Sequence, residues 1–257
     1  MFDTPDALGC DLAAAILVAL AGRRFVLGCP SGRSLRSTYA ALGKAAARAG
    51  ADLSGLVIAM MDEYVRPTGT GFAPCPSDAH YSCRGFARDE IRAVLNRGVP
   101  ADRGVPEENI WIPNPGRPAD FDARLEEAGG VDLFLLASGT SDGHVAFNGP
   151  GSARDSRTRV VALPETTRRD NLATFPAFAT LDQVPRHGVT VGLGTIAEFS
   201  RKVVLVMHGR GKNGAARRLL SSTRFTPDWP TTIVFACADA RVMLDRAAAG
   251  PCVPAAP

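Results

Sequence analysis

The sequence predicts an α/β protein built on a doubly wound, mostly parallel sheet. Three observations carry that expectation. Short apolar runs alternate with helix-length patterns along all 257 residues. The runs are rich in Val, Ile, Leu and Phe without strict polar alternation, as strands covered on both faces are. No long linker, internal repeat or low-complexity tract interrupts them. Helices must then cover both faces of the sheet, because neither face can stand bare in water. A chain of this length can bury a sizeable core, and one domain over residues 1–257 is the expectation.

Taken in order, the apolar runs place strands at 25–29, 56–61, 131–137, 189–193, 203–207 and 231–236. Helical spacing marks 6–21, 34–49, 83–96, 119–128 and 211–221. The Pro/Gly-rich piece 66–77 (RPTGTGFAPCPS) reads as a surface loop within the domain.

Composition narrows the function classes. With 46% hydrophobic and 21% charged residues, the chain is neither disordered nor collagen-like. The net charge is +3, lysine occurs only at 44, 202 and 212, and no basic run exists, so nucleic acid is not an expected partner. The longest apolar stretch, 13–21, is far short of the roughly 20 residues a membrane span needs. Asp3, Asp6 and Asp11 stand where a secretory signal would be basic, so a cytoplasmic location is expected. Six cysteines, at 10, 29, 75, 83, 237 and 252, form no C-x-x-C pair. Reduced thiols are the expectation, with no disulfide scaffold and no structural metal.

In a doubly wound fold, ligands bind beyond the carboxyl ends of the strands. Four segments there bear reactive side chains. Ser31-Gly32-Arg33-Ser34 follows the first strand and opens a helix. Free backbone N–H groups there suit a phosphate, with Arg33 as a possible fork-shaped partner. The ordinary alternative is a plain turn with Ser34 as the N-cap. Asp62 and Glu63 end the next run, and Asp62 could act as a general base, although acidic pairs more often lie on surfaces. Asp142 and His144 stand two apart in SDGHVAFN, where a carboxylate can fix the imidazole tautomer for acid–base work. Arg168 and Lys212 are separate cations that matter only if the fold converges them on one anion.

Together and in this order, FVLGCPSGRSLRSTY, MMDEYV, SDGHVAFN, SRTRVVALPETTRRDN, DQVPRHGVTVGLGT and GRGK resemble the glucosamine-6-phosphate deaminase family. That family shares a superfamily with 6-phosphogluconolactonases and ribose-5-phosphate isomerases. The resemblance runs from about residue 24 to 243 and implies a Rossmann-like sheet of sugar-phosphate isomerase type. It implies a small sugar phosphate as the ligand, no cofactor and no metal, and it allows a homo-oligomer. Carried over, Asp62 matches the proton shuttle between C2 and C1, His144 the ring-opening histidine, and Asp142 its carboxylate partner. Ser31, Gly32, Arg33 and Ser34 match the phosphate loop, with Arg168 and Lys212 as its basic partners.

The chain departs from the family pattern at several points. Ser138 and Thr140 stand where G-x-G-x-D-G-H has glycines, and Gly149 where a glutamate follows Phe-Asn. Arg33 replaces a glycine, Leu35 a proline, and Ser77-Asp78-Ala79-His80-Tyr81 replaces H-P-x-S-Y. The family's allosteric stretch is represented by Ser156, Arg157, Thr158 and Arg159, whose ordinary alternative is a salt-bridge set. Three functions follow as expectations: deamination of a 2-amino-sugar 6-phosphate, hydrolysis of a phosphorylated sugar lactone with His144 as base, or binding of a sugar phosphate without chemistry.

Overall fold

The computed structural model describes residues 1–250, so Cys252 lies outside the described residues. Ten strands run in order as β1 (Phe25–Cys29), β2 (Leu56–Met60), β3 (Asp62–Thr68), β4 (Gly71–Pro74), β5 (Ile110–Trp111), β6 (Leu133–Ala137), β7 (Arg159–Ala162), β8 (His187–Thr190), β9 (Val203–Met207) and β10 (Ala240–Leu244). Six of them form an all-parallel sheet of order β10-β9-β6-β1-β2-β5. The expected doubly wound sheet is therefore present.

Helices α1 (Pro5–Leu20), α2 (Arg36–Ala49), α3 (Cys83–Phe86) and α4 (Ala93–Asn96) are followed by α5 (Ala119–Glu127), α6 (Glu165–Thr174), α7 (Leu193–Phe199), α8 (Asn213–Leu220) and α9 (Arg246–Ala249). The strand residues divide between two cores. Phe25, Leu27, Cys29, Leu56, Ile58 and Met60 pack with α1 and α2, while Val26, Val57 and Ala59 pack with α5 and α8 on the other face. Period-two alternation into two apolar layers is why these strands show no polar face.

The structure corrects several boundaries. The run 231–236 is not a strand; Pro230–Ala236 is a 3₁₀ helix. Pro230 opens it, the Thr231 hydroxyl donates across the fold to Gly143 O (2.6 Å), and the Thr232 hydroxyl donates locally to Trp229 O (2.7 Å). The edge strand is β10, whose Ala240 and Arg241 are exposed. The strand expected at 131 begins at Leu133, because the Asp132 carboxyl turns back to accept Val26 N at 2.8 Å. The helix expected at 83–96 is broken into α3, a π-helical stretch Ala87–Arg92, and α4.

The larger omission is a second sheet. Strands β4-β3-β8-β7 pair antiparallel, so the 66–77 loop is partly a β3–β4 hairpin. The strand expected at 189–193 is β8, which spans His187–Thr190 in this sheet, and Leu193 already opens α7. The two sheets meet at Met61. Its N–H donates to Cys29 O (3.3 Å) and its carbonyl accepts from Val191 N (2.8 Å).

Glu63, on β3, fixes the segment that closes over this junction. Its buried carboxyl accepts Tyr64 N, Cys83 N and Arg84 N, each at 2.9 Å, and Ser82 Oγ at 3.0 Å. Cys75 Sγ approaches it at 3.2 Å. Glu63→Gln points an amide donor at this ring of donors. It should lower unfolding free energy by about 1.5–3 kcal/mol, read by chemical denaturation.

Candidate active site

A cavity of about 480 Å³ opens beyond the carboxyl ends of β1, β2, β6 and β9. Strand order reverses between β1 and β6, the switch point at which such sheets bind ligands. Its walls include the turn after β1, the start of β3, the long turn after β6, the 3₁₀ turn after β9 and one face of α6.

Ser31, Gly32, Arg33 and Ser34 all line the cavity. Gly32 has φ 89, which bends the turn, and α2 begins at Arg36. Ser34 is not the N-cap: that position is Leu35, without a side-chain cap, while the Ser34 carbonyl accepts from His208 Nε2 at 3.0 Å. The first N–H groups of α2 thus lack the side-chain acceptor that a capping residue would supply.

Asp62 also lines the cavity, although only 5% of it is exposed. Burial pushes its carboxyl up to about 7, helped by neighbouring Glu63 and opposed by the Cys83 thiol and the charge of His144. Cys83 Sγ, 3.3 Å from Oδ1, is its one side-chain donor among the described residues. The same sulfur is 3.4 Å from Ser31 Oγ, so one buried thiol touches both Asp62 and the turn after β1.

Asp142 and His144 form a pair. His144 Nδ1 lies 2.6 Å from Asp142 Oδ1, and Asp142 Oδ2 accepts from Thr167 Oγ1 (2.6 Å) and Thr166 Oγ1 (3.0 Å). Burial pushes the Asp142 carboxyl up. The hydrogen bond and charge of His144, with the Thr167 hydroxyl and the His144 amide, outweigh it and hold the group well below the carboxylate range. An ionised Asp142 requires the proton on Nδ1, which frees Nε2 for a ligand. Two glycines permit this turn. A Cβ at Gly139 would stand 2.2 Å from His144 Nδ1, and one at Gly143 2.4 Å from the indole of Trp229.

Lys212 reaches the cavity and donates Nζ to Ser138 O (2.5 Å) and Thr140 Oγ1 (2.8 Å). Burial lowers its pKa, Asp170 and Asp142 oppose that, and Arg33 adds to it. The two departures from glycine are thus engaged: Thr140 holds Lys212, and Ser138 Oγ meets Thr231 Oγ1 at 2.6 Å.

Arg168 is not brought to the cavity. It is buried, and its guanidinium is spent on the carbonyls of Leu181 (2.5 Å) and Val184 (3.0 Å), which fixes the segment after α6. In its place Asp170, Asn171, Ala173 and Thr174 of the same helix face the ligand space. Helix phase explains the error, since Arg168 and Asp170 are two positions apart and so point about 200° apart. The Ser156–Arg159 stretch likewise serves structure. Arg157 pairs with Glu198, Thr158 binds Asp122 through N (2.9 Å) and Oγ1 (2.7 Å), and Ser156 Oγ accepts Leu193 N.

Sequence reasoning missed Cys83, His208 and Asp170. Asp170 lay in plain view within TTRRDN but carried no motif. Asp142, His144 and Asp170 each place one polar atom within 4.8 Å of the others. Protein hydrogen bonds already occupy both carboxylates, so a cation there would have to displace them. Cys10, Cys29, Cys75, Cys83 and Cys237 are free thiols. Among the described residues, no helix is long and apolar enough to cross a membrane.

A doubly wound sheet with an anion-suited turn, a buried carboxyl poised near neutrality and an Asp–His pair defines a sugar-phosphate isomerase-like protein. No family model matches the chain. It is 38% identical over 216 residues to a glucosamine-6-phosphate deaminase of Streptomyces avermitilis, covering 82% of this chain and 77% of that one. It is 30% identical over 234 residues to a glucosamine-6-phosphate isomerase of Candida albicans, covering 89% and 87%. Among solved structures, a monomeric glucosamine-6-phosphate deaminase superposes with TM-score 0.82 at 26% identity, covering 96% of each chain. A 6-phosphogluconolactonase from Leishmania guyanensis shares the fold, with TM-score 0.68 at 17% identity over 98% of each chain. The chain belongs to the glucosamine-6-phosphate deaminase family.

Two measurements follow. The raised carboxyl of Asp62 stabilises the fold fully below about pH 4, and that contribution is lost as pH climbs to about 7. Asp62→Asn removes the cost, so it should be more stable than the parent at pH 8 by on the order of 2 kcal/mol, with no gain at pH 4, in parallel denaturation series. Arg168→Lys should lower stability by about 1–3 kcal/mol while leaving the dissociation constant for inorganic phosphate within twofold, roughly the noise of such titrations.

Proposed function

We propose that the protein converts glucosamine 6-phosphate and water into fructose 6-phosphate and ammonia, in the cytoplasm and without a cofactor. The observation that carries this reading is the buried Asp62 carboxyl, pushed to about 7, on the same cavity wall system as the Asp142–His144 pair and Lys212. A base working on a carbon acid at neutral pH needs a pKa near the working pH, so that it is both ionised and able to hold the proton it takes.

The chemistry runs in four steps. The phosphate docks on the N–H groups of the 31–34 turn, with the Lys212 ammonium and the exposed Arg33 as counter-charges. His144, steadied by Asp142, moves the proton between the anomeric hydroxyl and the ring oxygen, which opens the pyranose to the aldehyde. Asp62 removes the proton from C2 as a water molecule protonates O1, giving an enolamine, and returns it to C1, leaving a protonated ketimine at C2. Water adds to that carbon, the C–N bond breaks, and ammonia leaves behind the ketone. One carboxyl serves both carbons because they are adjacent, and its burial keeps the abstracted proton from exchanging with bulk water.

Ammonia release from glucosamine 6-phosphate, with stoichiometric fructose 6-phosphate, is the expected result. Asp62→Asn should lower kcat by about 10²–10⁴-fold with little change in KM. Lys212→Met should instead raise KM about tenfold or more, as loss of a phosphate counter-charge does. A lactone hydrolase built on the same residues would need His144 and tolerate Asp62→Asn. Hydrolysis of a 6-phosphosugar lactone by Asp62→Asn at the parent's rate, with no ammonia release by the parent, would replace the proposal.

A further inference from the structure

We propose that Asp170 is a positioning residue for the Asp142–His144 pair, and that its charge is held at the expense of phosphate affinity; this rests on the deaminase reading. Asp170 stands on α6, the helix that clamps the catalytic turn from one side. At the first turn of that helix, the Thr166 and Thr167 hydroxyls donate to Asp142 Oδ2 at 3.0 and 2.6 Å. One turn further, the Asp170 carboxyl accepts Thr140 N at 2.8 Å, Ser141 N at 3.0 Å and Ser141 Oγ at 2.6 Å. The segment 140–142 is therefore gripped at both ends by a single rigid element, one residue before His144, which Asp142 aims.

Gly149 explains how α6 comes so near. A Cβ there would stand 3.0 Å from Pro164 Cγ and 3.8 Å from Thr167 Oγ1, so a side chain at 149 would press on the start of the helix. With glycine at that position, α6 brings its hydroxyls to Asp142 and its carboxyl to within 4.8 Å of both Asp142 and His144. Among the described residues, Asp62 and Asp170 are the carboxylates that line the cavity.

The charge of Asp170 has a second effect. Lys212 donates Nζ to Thr140 Oγ1, and the amide of Thr140 is bound to Asp170. Lysine and aspartate are thus tied to one residue, and both line the ligand space with Arg33. A carboxylate beside these cations reduces the positive field that draws a phosphate. A residue kept only to attract substrate would not be acidic here. One that fixes the turn must be a strong acceptor of three donors, and a carboxylate is the side chain with that capacity.

The two effects have opposite signs, which separates positioning from mere structural support. In Asp170→Asn the amide accepts fewer of the three donors, so kcat for ammonia release should fall about 10–100-fold as the turn loosens. Because a negative charge is gone, the dissociation constant for inorganic phosphate, measured calorimetrically, should stay equal or decrease. Ser141→Ala keeps the charge and removes one grip; its kcat should fall about threefold or more with phosphate binding unchanged. Asp170→Asn with kcat within twofold of the parent, or with phosphate binding weakened in step with kcat, would overturn the proposal. If Asp170→Asn does not fold, an unchanged kcat in Ser141→Ala overturns it. If the parent itself releases no ammonia, the deaminase reading fails on its own, and weaker phosphate binding in Asp170→Asn then refutes the charge effect independently.

Discussion

One residue, Met61, ties the two sheets together through its own N–H and carbonyl. Its N–H belongs to the parallel sheet through Cys29, its carbonyl to the antiparallel sheet through Val191, and the residue that follows is the proposed base. No loop separates β2 from β3, so Asp62 has no freedom to swing into solvent. Its carboxyl stays at the seam where both sheets end, in a place too dry to favour its charge. The cavity, the raised pKa and the access to neighbouring carbons of a sugar all descend from that short connection.

Around this seam, two aspartates are driven in opposite directions. Asp62 has a single weak thiol donor and is destabilised as an anion, whereas Asp142 is surrounded by an imidazole, two threonine hydroxyls and an amide. The first can gain and lose a proton near neutrality; the second stays charged and orients its partner. Environments that push two carboxyls apart are how one fold assigns acid–base roles to identical side chains.

Much of this was legible in the chain. Strands β1 and β9 coincide with their apolar runs, 25–29 and 203–207, because buried parallel strands are apolar on both faces. The segments carrying Ser31, Asp62, Asp142, His144 and Lys212 were found because ligands in such sheets meet strand ends. What stayed hidden depends on tertiary contact. Thr231–Ala236 is as apolar as a strand, but its threonines find partners in Trp229 and Gly143, which the local pattern does not encode. The β3–β4 hairpin was masked by Pro67 and Gly71, residues tolerated at a sheet edge. Arg168 was singled out for its charge, when the rotation of α6 decides which of its side chains faces the cavity.

The indole of Trp229 presses against Gly143, with the Arg218 guanidinium over the same ring, 4.2 Å from its centroid. The other tryptophan, Trp111, is on β5 at the far edge of the parallel sheet, under Arg124. The molecule consequently carries an intrinsic fluorophore pressed on the backbone between Asp142 and His144, with a second emitter remote from it as a steady background. Displacement of the histidine-bearing turn on ligand entry would register in ultraviolet emission, giving stopped-flow access to that motion without any attached dye.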